Sequence, residues 1–135
     1  MNNQTKNNIL QIDSRLELVA EVATAISNYC QALKLDKQIC FQIELCAVEA
    51  INNAIIHAYQ NQPDHQVDIE WWFDSPCLFI KISDSGLRMQ KMPEDKLVPP
   101  DAESGRGWFI MRQWMDEVAY TSDGNCNSLV LQKLI

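Results

Sequence analysis

With 135 residues, 47% of them hydrophobic, the chain is long enough to bury one real core and too short for two ordinary domains. Eleven Lys and Arg against eighteen Asp and Glu leave a formal charge of −7, which argues against direct nucleic-acid binding, because the phosphate backbone is held mainly by cations. The five cysteines form no Cys-x-x-Cys pair and are odd in number, so neither a zinc knuckle nor a disulfide framework is indicated, and buried thiols in a reducing cytoplasm are expected.

Residues 1–8 are polar and without period, so a disordered N-terminus is expected ahead of one domain over 9–135. Ile9 to Ile12 fits a short strand. Ser14-Arg-Leu-Glu17 has the pattern of a capping box, and apolar residues from Leu16 to Leu33 follow at helical spacing, so a first helix is expected from Arg15 to Leu33. Asp36 is placed to cap a second helix that ends near His57 to Gln60, before Pro63. From Val67 the period changes to two: Val67–Phe73 and Leu78–Ile82 predict a hairpin across Asp74-Ser75-Pro76. The stretch from Leu87 to Ser104, with its three prolines, predicts a long loop. A third helix containing Phe109, Ile110, Met111 and Trp114 follows, and a last hairpin of Val118–Thr121 and Ser128–Leu134 turns at Asp123-Gly124. Hairpins dominate, so the expected fold class is an α/β (α+β) two-layer sandwich, with a mixed, mostly antiparallel sheet and the helices on one face. Trp72 and Phe79 would then lie on the uncovered face as a dimer or partner surface, and Met89 and Met92 would sit in the loop as partner contacts. His57 is expected to pack or hydrogen-bond at the helix end. No leader pattern opens the chain, and no uninterrupted apolar run is of membrane-spanning length, so a cytoplasmic protein without a membrane segment is expected.

Three polar motifs interrupt this pattern. Glu49 and Asn53, four apart, share one face of a largely apolar second helix; from that helix alone, a mutual hydrogen bond or exposure to water at its edge explains them as well as a ligand does. Asp84-Ser-Gly86 ends a strand, where Asp offers an acceptor and Gly permits close approach, although the same residues also make an ordinary turn. Gly105-Arg106-Gly107 opens a helix, whose unpaired N–H groups favour an anion.

In order and separation the three resemble the N box (Glu-x-x-x-Asn), G1 box (Asp-x-Gly) and G2 box (Gly-x-Gly) of the GHKL ATPases, which share the Bergerat ATP-binding fold. The resemblance is closest to the anti-sigma-factor serine/threonine-protein kinases and runs from about Leu16 onward. It implies that Asn53 holds Mg²⁺, that Glu49 acts as general base, and that Asp84 accepts a hydrogen bond from the adenine amino group of ATP while Gly86 lets the base approach. It further implies that Gly105, Arg106 and Gly107 cradle the phosphates, that Ser128 supplies a hydroxyl near the base, and that Leu87–Ser104 is a lid. Its departures are Arg88 in place of a second G1 glycine, Asn52 where Thr is common, and the acidic Glu103 where a basic residue is usual. The implied function is an ATP-dependent kinase that binds a sigma factor and phosphorylates an anti-anti-sigma (STAS-type) protein, acting as a homodimer. The competing reading is a nucleotide-gated protein-binding switch with little or no kinase activity.

Overall fold

The structure, a computed structural model, describes residues 8–89 and 106–135. Its strands are β1 (Asn8–Asp13), β2 (Gln66–Asp74), β3 (Cys77–Asp84), β4 (Glu117–Asp123) and β5 (Cys126–Leu134), and its α-helices are α1 (Val19–Ala32), α2 (Lys37–Asn53) and α3 (Arg106–Trp114). The five strands form one sheet in the order β1-β2-β3-β5-β4, antiparallel at every pairing. Register follows the alternation: Ile69, Ile82 and Leu129 stand side by side, as do Trp71, Ile80 and Leu131, and all six are buried. This stripe meets the apolar face of α2, which packs against α1 on one side and α3 on the other through Ile43, Cys46, Ala47, Ala50 and Ile51. The result is the expected two-layer α+β architecture. On the other face, Trp72 and Phe79 are half-buried and stack on each other, ring centroids 5.2 Å apart.

Helical residues run without a break from Lys37 to Ala58, 22 residues with a mean hydropathy of 1.5 in their most apolar window, so length and composition alone would pass for a membrane span. Here that stretch is the core helix. Asp36 caps it as expected, its Oδ1 accepting from the N–H of Ile39 at 2.8 Å, an interaction worth about 1 kcal/mol. Its last turn, Ala54–Ala58, is π-helical, a local widening often found beside functional sites.

The start of the first helix differs from expectation. A short 3-10 turn over Leu16–Leu18 precedes α1, and Ser14 caps neither. Instead the Ser14 hydroxyl donates to the carbonyl of Gln62 and accepts from the N–H of His65 at 3.2 Å, tying the end of β1 to the loop before β2. Glu17, the other half of the expected box, is solvent-exposed beside Arg15 at 3.6 Å, a surface pair of little energetic weight.

Candidate functional site

The π-helical turn, the end of β3, the first turn of α3 and the middle of β4 surround a cleft of about 530 Å³. Asn53 and His57 line one wall, Asp84, Leu87 and Met89 another, and Trp108 and Tyr120 a third. Two sequence-predicted residues, Asn53 and Asp84, therefore share one cavity although 31 positions separate them in sequence. Among the described residues, the Nδ2 of Asn53 is one of two buried side-chain nitrogens without a hydrogen-bond partner, so this carboxamide has bonding capacity that the fold leaves unused.

Glu49 lies one turn before Asn53 and under α3. A Cβ on Gly107 would come within 2.5 Å of the Glu49 carboxylate, so Gly107 is the residue that lets the first turn of α3 rest on Glu49. Arg106 is the first residue of α3. Gly105, Glu103 and the greater part of the expected lid, 90–104, lie outside the described residues, as do Met92 and the N-terminal residues 1–7.

Gly86 is a position of close backbone approach, as expected, and within the chain its neighbour is the end of the long helix. A Cβ there would lie 2.4 Å from the carbonyl oxygen of Ala58 and 2.8 Å from the Tyr59 ring. The close approach is thus between the end of β3 and the π-helical turn, sealed by the Leu87 N–H donating to Ala58 O at 2.8 Å. Tyr59 braces the same junction from beneath: its buried hydroxyl donates to Gln66 O at 2.6 Å and accepts from Ser85 N at 2.7 Å.

Asp84 is held at Oδ1, which accepts from Gly86 N at 2.9 Å and from Asn127 Nδ2 at 2.8 Å. Burial pushes its carboxyl above the ordinary 3.8, and these two hydrogen bonds pull it part of the way back. A raised native value means that the folded protein keeps this proton after the unfolded chain has released it. The associated stability is therefore complete below the unfolded value and lost as pH rises through the native one. Asp84→Asn is accordingly expected to melt at a higher temperature than wild type at neutral pH, with the gap narrowing as pH falls toward the ordinary carboxylate value. Thermal melts across pH check the sign.

Ser128 requires a correction. It faces the sheet surface away from the helices, where its Oγ meets Ser83 Oγ at 3.1 Å, and it does not reach the cleft side of Asp84. The residue paired with Asp84 across the ladder is its neighbour Asn127, because a shift of one position along a strand changes the face. Alternation carried this signal, since Leu129 and Leu131 point inward and Asn127 shares their parity. Met89 is also corrected: it packs against the core and lines the cleft, its N–H donating to the Tyr120 hydroxyl at 2.9 Å. His57, expected to pack or hydrogen-bond at the helix end, is exposed on the cleft wall. Trp108 and Tyr120, cleft residues that carried no motif, were not legible as such.

Residues 12–133 match the model of the histidine kinase-like ATPase domain. The anti-sigma F factor of Halalkalibacterium halodurans is 30% identical over 130 residues, covering 93% of this chain and 75% of that protein. Among solved structures, the RsbU and RsbW domains of a Mycobacterium tuberculosis protein superpose with a TM-score of 0.70 at 11% identity, covering 96% of this chain but only 32% of that one. The SiaB–SiaC complex from Pseudomonas aeruginosa contains a chain that superposes with a TM-score of 0.68 at 11% identity, covering 95% of this chain and 88% of that one. At such identities these two structures speak for the fold alone.

Proposed function

Since the chain belongs to the histidine kinase-like ATPase domain family and is related to its anti-sigma factors, we propose that it is an ATP-dependent protein serine/threonine kinase that binds a sigma factor and phosphorylates an anti-anti-sigma protein of the STAS type. The observation that carries this reading is the convergence of Asn53 and Asp84 on one cleft, with Glu49 one turn away under α3. Its volume lies within the roughly 300–1,000 Å³ of small-molecule sites.

In this reading Asp84 accepts the adenine amino group, a donor that guanine lacks at that position, and the backbone around Gly105 to Gly107 receives the phosphates at the start of α3, with Arg106 adding charge neutralisation. Asn53 is the protein ligand for Mg²⁺. Among the described residues no cluster of three His, Cys, Asp or Glu side chains offers a cage, and the Oδ1 of a neutral carboxamide on the cleft wall suits an ion that keeps its waters and binds phosphate oxygens. Bound there, the ion would neutralise phosphate charge. Glu49 takes the proton from the acceptor hydroxyl as that oxygen bonds to the γ-phosphorus, and the breaking bridge bond leaves its electron pair on ADP. The stacked Trp72/Phe79 face is the proposed homodimer surface, and the cytoplasm the proposed compartment. The acidic Glu103 ahead of the glycines favours the second reading, a nucleotide-gated protein-binding switch with little transfer.

Calorimetry of ATP binding with and without Mg²⁺ tests the site. Wild type is expected to bind in a magnesium-dependent manner and Asn53→Ala about tenfold or more weakly, the order expected when a metal ligand is lost. Absence of ATP binding by wild type would overturn the reading.

A further inference from the structure

Asn127 is 3% exposed and belongs to none of the three motifs, yet its side chain bonds to residues of two other strands. Its Nδ2 donates to Asp84 Oδ1 at 2.8 Å and to the carbonyl of Gly86 at 3.1 Å, and lies 3.5 Å from that of Leu87. Its Oδ1 accepts from the Ser122 hydroxyl at 2.8 Å. The amide orientation is chemically determined: Asp84 Oδ1 and the carbonyls only accept, so the nitrogen must face them, while Ser122 has a proton to give. A residue serving the core alone would continue the apolar stripe of Leu129 and Leu131. A buried carboxamide in that stripe is costly unless each of its groups is paired, and here they are paired to a carboxylate that is itself costly to bury.

We propose that Asn127 is the positioning residue of base recognition: one buried amide fixes the Asp84 carboxylate and the first carbonyls of the loop leaving β3, so that β5 aims the carboxylate at the base. Both bonds to Asp84 fall on Oδ1, from Gly86 N and Asn127 Nδ2, which leaves Oδ2 for a donor on the ligand. Asn127 does not need to touch the nucleotide. Ser122, on β4, sets the amide, the amide sets Asp84, and Asp84 reads the exocyclic amine. The same nitrogen donates to the carbonyl of Gly86, so the backbone just after β3 and the aim of the carboxylate are set together.

This inference rests on the reading of Asp84 as the adenine acceptor, and the test separates the two. ADP and GDP binding are measured by calorimetry for wild type, Asn127→Leu and Ser122→Ala, with thermal melts to establish folding. Wild type alone tests the reading: a protein that binds ADP no better than GDP removes it, and this inference with it. Given an ADP preference in wild type, Asn127→Leu is expected to lose about tenfold or more in ADP affinity, the effect of removing a hydrogen bond to a charged group, with GDP affinity unchanged. Ser122→Ala is expected to fall between, because the donor remains but is no longer oriented. An unchanged preference in folded Asn127→Leu, or an equal loss for both nucleotides, assigns Asn127 a purely structural role and overturns the proposal. Should Asn127→Leu not fold, half-buried Ser122 decides the matter: a Ser122→Ala preference equal to wild type overturns it as well.

Discussion

Glu49→Gln is expected to lower phosphate transfer to a protein hydroxyl by about a hundredfold or more while leaving ADP affinity within about twofold, the size of effect associated with loss of a general base. The substitution preserves volume, so α3 stays seated where Gly107 meets this side chain. It also preserves Asn53 and Asp84, the cleft residues proposed to bind the nucleotide. What it removes is the ability to accept a proton. Single-turnover transfer to the cognate partner and ADP calorimetry are the two measurements, and their combination is informative. Transfer at the wild-type rate in the variant would discard the base assignment. Binding without transfer in both proteins would favour the nucleotide-gated switch over the kinase.

Gly86→Ala should destabilise the fold by about 1–3 kcal/mol, the usual cost of overpacking, and weaken nucleotide binding together with stability. The added methyl would lie 2.4 Å from Ala58 O and 2.6 Å from Ala58 C. Both are backbone atoms, so no side-chain rotation relieves the contact. Relief requires the end of β3 to lift from the π-helical turn, which breaks the Leu87 N–H to Ala58 O bond and moves Asp84 away from Asn127. Denaturant unfolding and ADP calorimetry read the two effects. Loss of stability with full ADP affinity would show that the junction supports the fold without shaping the site.

The contrast between Gly86 and Gly107 explains how far a motif can be read. Gly86 was legible as a position of close approach, and Gly107 only as part of an anion-binding helix start. The occupant of the space was not legible: against Gly86 it is the backbone of Ala58, and against Gly107 it is the carboxylate of Glu49. These neighbours are remote in sequence, and nothing local to either glycine encodes them. Ser14 teaches the same lesson, since a serine two residues before a helical turn is a reasonable cap until the fold brings Gln62 and His65 to its hydroxyl.

By itself the sequence determined the elements, the two layers and the three motifs. Helical and strand periods, the Asp36 cap and the hairpin turns are local properties, and burying one apolar stripe per element leaves few ways to stack them. Parity along β5 was equally available, and it points to Asn127; matching by hydroxyl pointed to Ser128. Only the tertiary structure decided which polar groups meet. Hydrogen bonds such as those from Asn127 to Asp84 and to Gly86, 43 and 41 positions away, depend on strand order and register, which a linear pattern constrains but does not specify.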